Sequence, residues 1–201
     1  MSGELLQIPY PVIVEGRYDK LRLESVIRAQ ILTTDGFGLF NRQEKATLFR
    51  ALAAKSPLIV LTDSDGAGKL IRSHLSSMLP PDRLIHLYIP RVEGKEKRKS
   101  APSAEGTLGV EGMERELLLR LFAPYAGSGQ ASPAGENPLS KLDFYTDGLT
   151  GAPDSAARRD AFAARLGLPP GMTPNALLAA VRLLCSYPEY LALVGREEKA
   201  P

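Results

Sequence analysis

The sequence predicts an α/β protein with a doubly wound, mainly parallel sheet, followed by a small helical domain. Short β-branched runs alternate with segments of helical spacing through residues 1–122, the order that produces parallel strands joined by helices. Residues 139–201 show successive helix signals instead, and the Gly-, Pro- and Ser-rich residues 123–138 are typical of a linker. We therefore expect two modules, 1–122 and 139–201, joined by that linker.

In the first module, short runs rich in Val, Ile and Leu predict strands because they are too short for helices. These runs are residues 12–14, 31–33, 58–62 and 84–89. Between them, apolar residues recur with helical spacing in residues 18–28, 43–54 and 69–78, and a leucine-rich helix is expected near 117–121. Right-handed crossovers would place these helices on the faces of the sheet.

In the second module, residues that commonly cap helices delimit a small bundle. The expected helices begin after Ser140, Asp154 and Thr173, and a last short helix covers residues 189–194. Charge is balanced here at seven cations and seven anions, so charge alone does not distinguish packing from partner binding.

The composition of 201 residues, 44% of them hydrophobic, is sufficient for a globular core. No stretch approaches the roughly 20 apolar residues that span a membrane, so we expect a cytoplasmic protein without a membrane partner. The single cysteine, Cys185, excludes an internal disulfide.

The most informative motif is Asp-Ser-Asp-Gly-Ala-Gly at residues 63–68, where a buried strand should stop and a helix should start. Carboxylates at such a strand end are the oxygen ligands that Mg²⁺ prefers, so Asp63 and Asp65 are candidate metal ligands. Gly66 and Gly68 allow tight turning beside a phosphate. The alternative is a solvated turn that caps a helix.

A second acidic strand end strengthens the metal-site interpretation. Glu15 and Gly16 follow the strand at residues 12–14. Because the C-terminal ends of neighbouring parallel strands converge, we expect Glu15 to face Asp63 and Asp65 across one crevice. Alone, Glu15 would be taken as a surface acid before a turn.

Together these residues resemble the Toprim family, the catalytic domain shared by topoisomerases, bacterial primases and several nucleases. Within it, the chain is most similar to the ribonucleases that mature 5S ribosomal RNA in low-GC Gram-positive bacteria. Three further stretches support this narrower resemblance: residues 33–36, 106–112 and 141–149. The likeness covers nearly the whole chain.

The resemblance implies a Toprim-type fold and a magnesium-dependent endoribonuclease that cuts structured precursor RNA, most specifically the 5S precursor. Glu15, Asp63 and Asp65 would be catalytic and would hold Mg²⁺, with Glu15 either a ligand or a general acid or base. The resemblance also implies a protein partner, the ribosomal protein of the large subunit that binds 5S RNA.

Basic residues and glycines near the motifs are candidate phosphate or RNA contacts. They are Gly16, Arg17, Gly66, Gly68, Lys69 and Arg72 around the site, with Lys95, Lys97, Arg98 and Lys99 in a basic loop. Such a loop gains affinity for a polyanion through counterion release, but short charge runs are also common on solvated surfaces. Glu111 is either a further metal ligand or an acid stabilised at the start of a helix.

Two departures from the resemblance leave a divergent paralogue with another substrate as an alternative. Residues 17–19 are less acidic than that family suggests, and Ser64 occupies a position where proline is common. Two other functions also remain open. One is a Toprim enzyme acting on DNA, either primase-like or a nuclease, and the other is a non-catalytic RNA- or ribosome-binding module.

Overall fold

A computed structural model gives the fold of the chain and describes residues 4–34, 41–63, 66–94, 106, 108–127 and 137–196. The chain divides into two compact units. The first comprises Met1–Gly38 and Ser56–Pro133, and the second comprises Leu39–Lys55 and Ala134–Pro201. Within the described ranges, no helix is both long enough and apolar enough to cross a membrane.

Six strands are described, all in the first unit. They are β1 (Leu6–Gln7), β2 (Val12–Val14), β3 (Ile27–Arg28), β4 (Ile31–Thr33), β5 (Leu58–Thr62) and β6 (Leu84–Tyr88). The main sheet has the order β4-β2-β5-β6 and every pairing in it is parallel. The four strands that the sequence predicts are therefore confirmed, and the fold is α/β of the Toprim type.

Eight α-helices are described. They are α1 (Arg17–Glu24), α2 (Arg42–Lys55), α3 (Gly66–Met78), α4 (Arg115–Phe122), α5 (Lys141–Thr146), α6 (Ser155–Arg165), α7 (Pro174–Leu184) and α8 (Tyr187–Val194). Short 3-10 turns occur at Pro81–Arg83, Val110–Gly112 and Ala123–Tyr125.

The main sheet is doubly wound about the contact between β2 and β5. From β2 the chain passes through α1 to β4 on one side, and from β5 it passes through α3 to β6 on the other. Val14 and Leu61 pack with Leu23 of α1 in one core cluster. Gly68 and Arg72 of α3 contact β5 at Thr62 and Val60 instead. The helices after β2 and β5 therefore contact different sets of strand residues, and the winding of the chain reverses between these two strands.

The first helix is shorter than the sequence predicts. We expected one helix over residues 18–28, but α1 ends at Glu24, and residues 27 and 28 form β3, which pairs in parallel with β1. The turn is closed by the Val26 N–H, which donates to the Leu23 carbonyl at 2.8 Å. This part of the prediction is wrong because β-branched Val26 and Ile27 continue the helical spacing of apolar residues, although Val26 lies in the turn after α1 and Ile27 begins β3.

The boundary between the units differs from the division expected from sequence. Helix α2 groups with the C-terminal helices. Its buried face includes Leu48 and Phe49, and its Lys55 ammonium donates to the carbonyl of Leu184, the last residue of α7. The first unit also continues past residue 122, since the Gly127 N–H donates to the Gln7 carbonyl at 3.2 Å. Most of the expected linker, residues 128–136, lies outside the described residues.

The second unit is built around a buried tyrosine. The Tyr190 ring is fully buried and packs against Phe144 and Phe162 at centroid distances of 6.1 and 5.7 Å. Its hydroxyl donates to Asp147 Oδ2 at 2.5 Å. Arg196 donates to the same oxygen at 2.9 Å, so the buried carboxylate is paired on two sides.

Two leucines of α1 allow the core of the first unit to be tested. Leu23 is fully buried and Leu21 is 50% exposed on the same helix. We expect Leu23→Ala to lower the free energy of unfolding by about 2–5 kcal/mol and Leu21→Ala to lower it by roughly 0.5 kcal/mol or less. Urea unfolding followed by circular dichroism measures both values, and equal losses would contradict the packing described here.

Candidate active site

Two acidic residues lie at the same edge of the sheet, at the point where the winding of the chain reverses. In β2 and β5, Ile13 is paired with Val60, so continuing the register places Glu15 opposite Thr62, with Asp63 next. Adjacent strands lie about 4.8 Å apart, and both chains turn away at this edge. Glu15 is half-buried with its Oε2 atom inaccessible to solvent. The structure therefore places Glu15 and Asp63 at the same edge of neighbouring strands.

Asp63 is enclosed by backbone from two other segments. Its Oδ1 accepts a hydrogen bond of 2.9 Å from the Val110 N–H. A Cβ atom at Gly109 would collide with the carboxylate, and one at Gly68 would lie 2.7 Å from Thr62 Oγ1 and collide with the Asp63 carbonyl. Close approach to the backbone therefore requires glycine at position 68, whereas a side chain at position 109 would displace the Asp63 carboxylate. Gly66 differs, because a Cβ atom there would meet nothing within 4 Å.

A third acidic residue of the site, Asp19, is not singled out by the sequence patterns described above. Its Oδ2 accepts from the Gly16 N–H at 3.0 Å, which fixes the turn immediately after Glu15. Burial, together with the negative charges of Asp63 and Glu111, raises the pKa of Asp19 to about 6, against the opposing effect of the backbone hydrogen bonds from Gly16 and Glu111. A signal was present, since an acid three residues after a helix-capping position often bonds back to that residue.

Glu111 lies in the 3-10 turn Val110–Gly112 and is half-buried. Its charge acts on Asp19, and its backbone makes a hydrogen bond to the Asp19 carboxylate. Glu111 therefore lies in the same acidic environment as Asp19, as its candidacy as a metal ligand requires. The same turn supplies the Val110 N–H that binds Asp63.

The remaining candidates have different settings. Arg17 begins α1 and Lys69 lies in the first turn of α3, and both are exposed. Exposure leaves both side chains accessible to a phosphate. Asp65 and the basic-loop residues Lys95, Lys97, Arg98 and Lys99 lie outside the described residues.

Arg72 has a setting unlike the phosphate contact expected of it. Its guanidinium is buried and donates to the carbonyls of Thr62 and Leu87 at 3.3 and 2.5 Å. The guanidinium carbon also lies 4.0 Å from the centre of the Tyr88 ring, and one nitrogen lies 3.2 Å from His86 Nδ1. Burial, followed by the charge of Arg72, lowers the pKa of His86. Arg72 thus ties α3 to the ends of β5 and β6.

The donor chemistry of the site fits a hard divalent cation. Carboxylates gather here closely enough that the charges of Asp63 and Glu111 raise the pKa of Asp19. Within the parts of the chain that the structure describes, no three His, Cys, Asp or Glu side chains are grouped so as to enclose a metal ion. Mg²⁺ commonly takes only one or two carboxylates and keeps several waters, so Glu15 and Asp63 suit it.

The parallel sheet and its acidic edge define this chain as a Toprim-type α/β protein. Among curated proteins, it is similar to Ribonuclease M5 of Lactiplantibacillus plantarum, with 30% identity over 159 residues, or 78% of each chain. Ribonuclease M5 1 of Ligilactobacillus salivarius is 29% identical over 79% of this chain and 76% of its own. Ribonuclease M5 of Bacillus subtilis is 26% identical over 77% and 76%. No family model matches the sequence. The chain belongs to the ribonuclease M5 family.

The raised pKa of Asp19 predicts a pH-dependent stability. An acid whose pKa is raised by folding remains protonated to a higher pH in the folded state than in the unfolded state. Its contribution to the free energy of unfolding therefore falls as the pH rises from about 4 to about 6, and it stays low above pH 6. The free energy of unfolding of Asp19→Asn should therefore exceed that of wild type by about 1–2 kcal/mol at pH 7.5 in EDTA. This difference is smaller than the full pKa shift would give, because the side chain is partly exposed.

Urea unfolding from pH 4 to pH 8 measures this difference. The advantage of Asp19→Asn should become small near pH 4, where the folded carboxyl is protonated and the unfolded carboxyl is only about half ionised. Parallel pH profiles for the two proteins would show that the pKa of Asp19 is not raised in the folded state.

Substitutions of Arg72 and Lys69 in α3 distinguish a residue that supports the fold from one that is accessible to phosphate. Arg72→Met should lower the free energy of unfolding by about 2–4 kcal/mol because strand carbonyls lose a charged donor, whereas exposed Lys69→Met should stay within about 0.5 kcal/mol. Thermal and urea unfolding without RNA provide the measurement. A stable Arg72→Met protein would contradict the structural role.

Proposed function

We propose that this protein is an endoribonuclease that processes structured precursor RNA, with the 5S ribosomal RNA precursor as its substrate. The observation that supports this function most directly is the meeting of Glu15 and Asp63 at the reversal point of the sheet, in a chain of the ribonuclease M5 family. Family membership favours RNA over the DNA-directed alternative. The acidic edge favours an enzyme over a module that only binds.

The proposed cofactor is Mg²⁺, held by Asp63 and Glu15 together with Asp65 from the adjoining motif. Glu111 is a candidate fourth carboxylate because it shares the environment of Asp19. A bound divalent cation supplies positive charge at the scissile phosphate and lowers the pKa of water at the site.

The residues themselves provide orientation and proton transfer. The Val110 N–H fixes one oxygen of Asp63. Thr34 Oγ1 donates to the Glu15 carbonyl at 2.7 Å and so fixes the backbone that presents the Glu15 carboxylate. Glu15 either completes the ligand set or acts as general acid or base at the phosphate, and both roles need the carboxylate at this edge.

The exposed cations Arg17 and Lys69 are proposed contacts of the RNA backbone, and the basic residues 95–99 extend that role. Duplex RNA is recognised mainly through its shape, its phosphates and its 2′-hydroxyls, which suits scattered cations better than an aromatic stacking platform. The large-subunit ribosomal protein that binds 5S RNA is the proposed partner presenting the substrate, and such a substrate places the enzyme in the cytoplasm.

The direct test is cleavage of the 5S precursor, bound to that ribosomal protein, with Mg²⁺ and with mapping of the RNA ends. Asp63→Asn keeps the size of the side chain and removes its charge, so we expect cleavage to fall on the order of 10²- to 10³-fold or more. Glu15→Gln should cause a comparable loss.

Asp82→Asn is the matched control, because Asp82 lies in the 3-10 turn before β6 and its side chain is 76% exposed. It should cleave like wild type. Intact RNA with the wild-type protein would refute the 5S assignment, and equal cleavage of a matched DNA duplex would refute the choice of RNA. Tight RNA binding without any turnover would identify a binding module instead.

A further inference from the structure

We propose that the segment from Gly109 to Met113, called the amide clamp below, positions the acidic site through its backbone. Two consecutive N–H groups of the clamp serve two different carboxylates. The Val110 N–H donates to Asp63 Oδ1 at 2.9 Å, and the Glu111 backbone makes a hydrogen bond to the Asp19 carboxylate. The clamp therefore joins the acid after β5 to the acid in α1.

The clamp approaches Asp63 too closely for a side chain to come between them. A Cβ atom at Gly109 would lie about 3.0 Å from both the carboxyl carbon and Oδ1 of Asp63, and nearer still to Oδ2. Gly109 has φ −83° and ψ −175°, which any residue can adopt. The need for glycine at this position is therefore steric, and it comes from the carboxylate.

The clamp is held firmly from its far side. Val110 and Met113 are 0% and 3% exposed, within the core cluster of the first unit. Arg22 of α1 donates two hydrogen bonds to the Met113 carbonyl, at 3.0 Å from Nε and 2.6 Å from Nη2. Because the buried side chains of Val110 and Met113 and the bonds from Arg22 hold the clamp in place, its N–H groups fix the position of the carboxylate.

The hydrogen bond from the clamp affects how Asp63 binds a cation. Hydrogen bonds to charged groups are the stronger ones, so the Val110 N–H selects one orientation of the Asp63 carboxylate before any cation binds. When the ligands of a site are already oriented, less binding free energy is lost in ordering them. This inference rests on the cation site of the proposed function, and Val110 acts in it as a positioning residue.

Hydrogen exchange tests the two bonds separately, without RNA or metal. In Asp63→Ala we expect the Val110 amide to exchange about tenfold faster than in wild type or more, while the Glu111 amide changes by roughly threefold or less. Asp19→Ala should show the reverse pattern. Amide exchange followed by NMR in EDTA resolves both positions. Unchanged exchange at Val110 in Asp63→Ala would overturn the proposal.

A proline substitution tests the effect on the cation. Val110→Pro removes the N–H at the first position of a 3-10 turn, where proline is tolerated, and the extended Gly109 suits a following proline. Val110→Ala keeps the N–H and loses side-chain packing, so the comparison between the two variants isolates the amide. We expect Mg²⁺ to bind Val110→Pro about 10- to 100-fold more weakly than Val110→Ala in calorimetric titration.

The outcomes separate this inference from the proposed function. Equal Mg²⁺ affinity of the two variants would overturn the clamp while leaving the metal site intact. If Val110→Pro fails to fold, Gly109→Ala replaces it, and a Mg²⁺ affinity within about twofold of wild type would overturn the proposal just as well. Absence of Mg²⁺ binding by the wild-type protein would refute the metal centre, and the exchange pattern would then decide the clamp alone.

Discussion

The parallel contact between β2 and β5 is the constraint on which the rest of the first unit depends. It fixes the register in which Glu15 and Asp63 emerge, and it is the line at which the chain reverses its winding. Helices placed after these two strands must diverge, because one connection leads to β4 and the other to β6. The position of the acidic edge is therefore a consequence of topology, and the residues after the two strands supply its side chains.

Two guanidinium groups support this edge together with its apolar packing. Arg72 donates to carbonyls at the ends of β5 and β6, and Arg22 donates to the carbonyl of Met113. Each of them joins a helix to backbone of another segment. In a small sheet with strands of three to five residues, such bonds limit fraying at the end where the chemistry would occur.

Much of this arrangement could be predicted from the sequence, since apolar runs ending in acid and glycine specify strand ends directly. Glu15 and Asp63 were predictable because strand direction and parallel pairing dictate which ends meet. Asp19 was not, because its role depends on a turn that returns its carboxylate to the Gly16 N–H. The position of Arg72 in the helix predicts a phosphate contact, but its guanidinium binds carbonyls of the strands on either side of α3, and this depends on how the helix packs on the sheet. Residues 27 and 28 were placed in a helix because strands of two residues have no measurable period.

The use of backbone donors around Asp63 has a consequence for how such sequences diverge. An N–H group is present in every residue except proline, so the bond at position 110 is encoded by chain conformation and places little demand on the identity of the side chain. Position 110 can drift among apolar residues that fill the core, whereas a side chain at position 68 would collide with strand backbone and one at position 109 would displace the Asp63 carboxylate. Relatives that share the geometry can therefore differ at most positions and still retain a few invariant glycines and acids.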